Sequence, residues 1–398
     1  MTERLYCHNS YLTEFKAHVV DVNRDCRCVY LDCTAFYPTS GGQPFDTGEL
    51  GGSRVVEVID EGDRIAHILS EPLTPGGSDP RDGEVHGRID FRRRFDHMQQ
   101  HTGQHLLSAV LIEMFDAPTV SFHMGAESST IDLARSLDPP DLRTAEHRAN
   151  QIVFENRPIT VRFQHSSEDL GLRKPTERQG EIRVISIENL DRSACGGTHV
   201  RATGEIGPIL LRKTDRVRGN LRIEFLCGAR AIARARTDFE ALSEVARLFS
   251  APLDEAPGLV EAQREKLVET EKVRKGLATE LAQASGRALY SDTPPGADGV
   301  RRALRRVNTL TEECRIEAPS FTSAGPAVFL VMAQSPPAIL LAASPDSGID
   351  AGDLLKRALS EAGGRGGGNR TLAQGSLPSE QALAEVAARL ARELGLPG

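Results

Sequence analysis

The sequence predicts an α+β protein: a small N-terminal β-barrel, an α+β domain, a helical connector and a small C-terminal α/β domain. Three observations carry this. Short alternating runs crowd residues 1–90. Strand-like and helical patterns then mix as far as residue 227. Strand character stops over residues 228–289 and returns in two apolar runs near the end.

Within 1–90 the runs AHVVDVN, RCVYLD, RVVEVID and RIAHIL are separated by Gly, Pro, Asp and Asn clusters. Several short strands at close spacing suggest a barrel. The second domain, 91–227, opens with a helix from Asp90 to about Phe115. Leu106, Leu107, Val110, Leu111 and Met114 recur there as one buried stripe. Strands follow at SSTIDLA, PITVRF, IRVISI, GPILLRK and LRIEFLC, with a helix at PPDLRTAEHRANQIVFEN. The connector, 228–289, is rich in Ala, Glu, Arg, Lys and Leu. Val273, Leu277 and Leu281 share one helix face there, which suits a connector and a helix packed on its own domain equally. The last domain, 290–398, holds the apolar runs AVFLVMA and AILLAAS and the glycine-rich GGRGGGNRTLAQGS.

Composition narrows the function. Lys plus Arg number 48 against 56 Asp plus Glu, a net charge of −8 over 398 residues. A basic nucleic-acid coat is excluded, so any nucleic-acid contact comes from a local patch. Seven scattered cysteines make no disulfide framework. The N-terminus has no apolar core of signal-peptide length, and the longest apolar stretch is broken by Gln334, Ser335 and two prolines. These features predict a reduced, cytoplasmic protein that makes no use of the membrane.

Two motifs carry metal chemistry. His101 and His105 lie one helical turn apart, so both rings can reach one ion. Thr102 stands where a zinc protease needs its Glu, which disfavours that reading. Cys195 and His199 bracket two glycines, which let the backbone turn so that thiol and imidazole converge. Separately, a structural histidine pair and a turn with one buried Cys are equally good accounts. Together the motifs supply three His and one Cys, a tetrahedral zinc set.

The segments SGGQPFDTG (40–48), HTGQHLL (101–107), SFHMG followed by STIDL (121–133) and CGGTH (195–199) resemble, in this order, AlaX-type alanyl-tRNA editing proteins and the editing half of alanyl-tRNA synthetase. The glycine-rich tail resembles the DHH-associated C-terminal domain that follows that half in long AlaX proteins. Arg370 and Leu377 stand where that family usually carries a Pro and further glycines. The resemblance implies a zinc-dependent hydrolase that clears alanine tRNA mischarged with Ser or Gly. The barrel pattern begins near Met1, so no amino-acid activation is expected. The implied substrate is an ester. Four protein ligands form a closed set, so zinc either exchanges a ligand or orients the substrate end.

The resemblance also places Thr34 near the amino-acid pocket, where its hydroxyl could bond a seryl hydroxyl. Thr34 packing by its methyl at a strand end is the plainer account. Gln43 could point into the cleft, and His123 is a further cleft candidate. Residues 201–236 hold nine Lys or Arg against three acids. Arg212, Lys213, Arg216, Arg218 and Arg222 are the expected tRNA-binding residues within it. Arg301, Arg302, Arg305 and Arg306 read as pairs on a helix. Both clusters also suit a solvated face with salt bridges. The C-terminal domain is expected to serve tRNA capture or homodimerisation. Two rivals remain. One is a tRNA- or synthetase-binding module with a structural zinc, which would spare the ester. The other is a small-molecule zinc hydrolase, which would not bind tRNA.

Overall fold

A computed structural model describes residues 1–73 and 83–396. The expected ranges 1–90 and 290–398 run through 74–82 and 397–398, which lie outside the described residues. The chain divides into two compact units, 1–245 and 246–398.

The first unit opens with the strands β1 (Glu3–Arg4), β2 (Glu14–Val22), β3 (Cys28–Leu31), β4 (Cys33–Thr34), β5 (Gly48–Leu50), β6 (Ser53–Asp60), β7 (Ile65–Leu69) and β8 (Glu84–Ile89). Six of them close a barrel in the order β2-β3-β7-β6-β5-β8. Alternation along β2 sends Phe15, Ala17 and Val19 inward, where they meet Val29, Leu31, Leu50 and Ile65. The expected barrel is present.

Helix α1 (Phe91–Phe115) follows. Asp90 caps it by accepting the Arg93 N–H at 3.2 Å, and Asp116 ends it in the left-handed conformation. The expected single apolar stripe is not what forms. Every residue from His97 to Leu111 is buried, polar ones included, whereas Met114 is exposed. The buried amides have partners: Gln100 donates to the Cys227 carbonyl at 3.0 Å and accepts the Cys227 N–H at 2.9 Å.

Around α1 stand β9 (Thr119–Met124), β10 (Ser129–Leu133), α2 (Pro139–Glu155), β11 (Ile159–His165), β12 (Glu181–Ile187), β13 (Asp191–Ala194), β14 (Ile209–Val217) and β15 (Asn220–Cys227). They form one sheet in the order β14-β15-β10-β9 and another in the order β11-β12-β13. Leu106, Leu107, Val110 and Leu111 of α1 share a core with Ala145 and Ala149 of α2 and with Ile131, Ile185 and Ile223 of the sheets. Helix α3 (Gly228–Leu248) follows β15.

The second unit holds α4 (Ala256–Asp292), β16 (Arg301–Val307), α5 (Glu312–Thr322), β17 (Ala327–Ala333), β18 (Ala338–Ala343), α6 (Ala351–Glu361), β19 (Arg365–Gly368), β20 (Leu372–Ser376) and α7 (Glu380–Leu394). Its sheet runs β16-β17-β18-β20-β19. Near its end α4 packs on α5, where Gly286 lies against the Glu317 carbonyl; Val273, Leu277 and Leu281 are exposed. One expectation is corrected. Arg301, Arg302, Arg305 and Arg306 lie on strand β16, paired in parallel with β17. The glycine-rich stretch is a hairpin of β19 and β20. A Cβ on Gly375 would come within 2.2 Å of Leu359, so that glycine serves the seating of α6. Among the described residues no helix is long and apolar enough to cross a membrane.

One buried group ties barrel stability to pH. His67 on β7 is fully buried. Its Nδ1–H donates to the Val29 carbonyl at 3.1 Å, so its bare Nε2 accepts the Thr34 hydroxyl at 2.8 Å. Burial pushes its pKa down to about 4. Below pH of about 6.5 the unfolded chain takes a proton that the folded chain refuses. Stability present above that pH is therefore lost as pH falls towards 4, with an upper bound of about 3 kcal/mol from this group. His97, lowered to about 4 chiefly by burial, acts with the same sign. Denaturant titrations of His67→Gln should give a shallower loss between pH 6.5 and 4 than the unaltered chain; equal slopes would remove His67 as the cause.

Candidate metal centre

Helix α1 carries His101 and His105 on one face, with ring centroids 5.3 Å apart. The loop after β13 brings Cys195 and His199 to them. One imidazole nitrogen from each histidine and the Cys195 sulfur all lie within 4.8 Å of one another. The sulfur is 3.4 Å from His101 Nε2 and 3.3 Å from His199 Nε2. A tetrahedral zinc would hold sulfur and nitrogen roughly 3.5 Å apart, so donor set and spacing both fit.

Each histidine is fixed from behind. His101 Nδ1 donates to Gln43 Oε1 at 2.8 Å, and His105 Nδ1 donates to Asp191 Oδ2 at 3.1 Å. His199 Nδ1 donates to Thr102 Oγ1 at 3.2 Å. With Nδ1 occupied on every ring, Nε2 is left for the centre. Gln43 is itself held: it donates to Thr198 Oγ1 at 2.8 Å and accepts the Thr198 N–H at 3.2 Å. Asp191 also accepts Arg173 Nε at 2.6 Å and the Ser193 hydroxyl at 2.9 Å.

The second glycine of the Cys195–His199 loop has a separate task. A Cβ on Gly197 would stand 2.2 Å from His101 Cε1, so only glycine lets the loop cross the ring. Arg183 clamps the same loop, donating to the Cys195 carbonyl at 2.7 Å and the Gly197 carbonyl at 2.8 Å.

The electrostatics favour the ligand forms of Cys195 and His199, whereas His105 has a proton to give up before it can bind a metal. Burial alone would raise the Cys195 thiol; the charges of His101 and His199, with hydrogen bonds from His101 and His105, hold it well below its ordinary value. Burial lowers His199 to about 3. Burial also opposes a charge on His105, but its bonds to Asp191 and Cys195 prevail and raise it to about 9.

His101, His105 and Cys195 floor a cleft of about 680 Å³, and His199 stands behind them. Tyr37, Ser40, Phe122 and the 173–178 segment line it. The Phe122 ring lies against His101, centroids 5.5 Å apart.

The structure brings together the four expected ligands and places the other expected residues as follows. Gln43 sits behind His101 and does not line the cleft. Thr34 is fully buried and does not line it either; its hydroxyl donates to His67 and accepts the Phe36 N–H at 3.1 Å. His123 is exposed on β9 and points away from the lining, whereas its neighbour Phe122 is part of it. Arg212 is engaged by Asp238, and Arg222 is held by both oxygens of Asp132 at 2.7 and 2.8 Å. Lys213, Arg216 and Arg218 carry no ion pair among the described residues and mark the β14–β15 hairpin. Asp191, Thr198 and Arg173 are not marked in the sequence, and Thr102 is marked there only as the residue in place of a protease Glu. The signals available were slight: Asp191 stands four residues before Cys195, and Thr102 adjoins His101.

Comparison with known proteins agrees with this geometry. Residues 182–224 match the family model described as the threonyl and alanyl tRNA synthetase second additional domain. Residues 317–395 match the DHHA1 domain. The chain is 31% identical over 404 residues to the alanyl-tRNA editing protein AlaX-L of Pyrococcus horikoshii, covering 96% of each. It is 31% identical over 409 residues to the alanine--tRNA ligase of Pyrococcus abyssi, covering 94% of this chain and 42% of that one. The ligase of Thermococcus kodakarensis is 32% identical over 418 residues, with 97% and 43% covered. The chain thus spans less than half the length of these ligases. Similarity over 96% of both chains, to a protein of nearly equal extent, places the chain in the family of AlaX-type alanyl-tRNA editing proteins.

Proposed function

We propose that this chain is a zinc-dependent hydrolase that removes serine or glycine from mischarged alanine tRNA. The observation that carries the proposal is the cluster of His101, His105, Cys195 and His199, the first three of which floor the cleft, with each imidazole braced through its far nitrogen. These four residues would hold zinc, which when bound would polarise an ester carbonyl or lower the pKa of a water.

The chain's own residues do the positioning. Gln43, Asp191 and Thr102 fix the rings, and Phe122 covers one side of His101. The one carboxylate among the described cleft-lining residues, Asp60, is held by Arg4 through two bonds of 2.8 Å. A side-chain base is therefore not assigned, and the proton goes to a water or to the substrate's own ribose hydroxyl. Thr34 is sealed from the cleft by its bonds to His67 and the Phe36 N–H, so any part it takes in seryl discrimination is indirect.

We assign 1–90 and 91–227 to the editing half, 228–289 to the connector and 290–398 to a domain for tRNA capture or homodimerisation. Lys213, Arg216 and Arg218 would meet tRNA phosphates, with Arg212 and Arg222 beside them. Charged tRNA places the reaction in the cytoplasm. The four-ligand set also favours a second reading, a tRNA-binding module with a structural zinc. Incubation with Ser-, Gly- and Ala-charged alanine tRNA separates the two: the hydrolase clears the first or second and spares the third, and the module spares all.

Elemental analysis should find one zinc per chain, and the His101→Ala, Cys195→Ala double variant should lose it; unchanged zinc in the variant would refute the ligand set. Affinity should fall in acid, because the ligands are neutral His and thiolate. Thr34→Val should slow Ser-tRNA hydrolysis, at about 0.5–1.5 kcal/mol or roughly threefold to tenfold. A matching drop on Gly-tRNA would reduce Thr34 to a structural role. A chain ended after Leu248 should keep its zinc and its rate at saturation but bind tRNA more weakly. Unchanged affinity there would deny the second unit a part in capture.

A further inference from the structure

The cleft has one wall that the proposed function leaves unused. Between β11 and β12 the backbone leaves the sheet, and Arg173, Lys174, Pro175, Thr176 and Arg178 line the opening. The described lining residues include four Lys or Arg and one carboxylate, and that carboxylate is spent on Arg4. Arg173 is anchored: Nε donates to Asp191 at 2.6 Å and Nη2 to Ser193 at 3.2 Å, while its Nη1 makes no hydrogen bond among the described residues. Lys174 and Arg178 are exposed and carry no ion pair among the described residues. Glu177, between them, does not line the cleft.

We propose that residues 173–178 are a phosphate-binding arm: Lys174 and Arg178, beside the anchored Arg173, take the internucleotide phosphates next to the terminal nucleoside of an RNA 3′ end. The inference rests on the proposed function, because the ester on the terminal ribose has to reach the metal centre. The nucleoside then fills the cleft, and its 5′ phosphate leaves over the rim. An aminoacyl nucleoside is uncharged at that end, so cations there have work only on a longer strand. The cleft volume suits this, since sites of roughly 300–1,000 Å³ take ligands of this class. The arm lies apart in sequence from the basic β14–β15 hairpin. It also joins the strand to the metal centre, because Arg173 shares Asp191 with His105.

The test uses the full chain and the Lys174→Gln, Arg178→Gln double variant. The probes are the 5′-labelled tetranucleotide ACCA and the phosphate-free nucleoside adenosine. The variant should bind ACCA about tenfold more weakly at low salt. Its dependence of log affinity on log salt should be shallower by about 0.7 for each phosphate no longer neutralised. Adenosine affinity and zinc content should match the unaltered chain. Equal ACCA affinity, an equal loss for adenosine, or no ACCA binding by the unaltered chain would each overturn the arm. So would displacement of ACCA by equimolar inorganic phosphate, which would mark a plain anion site. If the unaltered chain leaves Ser-tRNA intact yet binds ACCA through these residues, the hydrolase is wrong and the arm stands.

Discussion

Three buried imidazoles and a half-buried cysteine packed within 4.8 Å are the constraint on which the first unit depends. Burial of such groups is costly unless each polar atom has a partner. The partners come from every side. The barrel's end supplies Gln43, α1 itself supplies Thr102, and β13 supplies Asp191. The site therefore exists only when barrel, helix and sheet are assembled together. That also explains why α1 is buried on all faces although half its residues there are polar.

A second buried group secures the same junction. Asp46, three residues after Gln43, accepts Arg94 Nε at 3.0 Å, and the Tyr37 N–H at 2.6 Å. Both Asp46 and Arg94 are fully buried, and Arg94 donates further to the carbonyls of Ser10 and Ala35. Loss of one partner from such a pair costs about 3–5 kcal/mol, mostly from the stranded charge. The short segment from Gly41 to Asp46 thus ties the barrel to α1 at two points, one at the candidate metal site and one about two turns before it.

Much was legible in the sequence, for physical reasons. The four candidate ligands stand out because Cys and His at these spacings have few other uses in common. The barrel and the apolar strands were legible because alternation survives wherever one face is buried. Other features were hidden. Gln43 stands out in its glycine turn, but its place behind a ring depends on where the barrel meets α1. Asp191 and Thr102 act across folds of the chain and leave no local pattern. The arginines of β16 mislead because a spacing of four keeps two residues on one face in a strand as well as in a helix. Arginine also forms helices well, so propensity gives no warning.

The sheet of the second unit has two open edges, and they differ in chemistry. Along β16 four arginines crowd one border; along β19 three glycines in an exposed row form the other. An unguarded edge is a template on which another chain can lay a strand. At the first border Arg302 is paired with Asp298 and Arg305 with Glu317, so an added strand would have to displace fixed ion pairs. At the second, glycine offers no side chains to pack and a high entropy cost for extending the ladder. The apolar interior strands β17 and β18 thus lie between two borders that each make a poor template for a further strand.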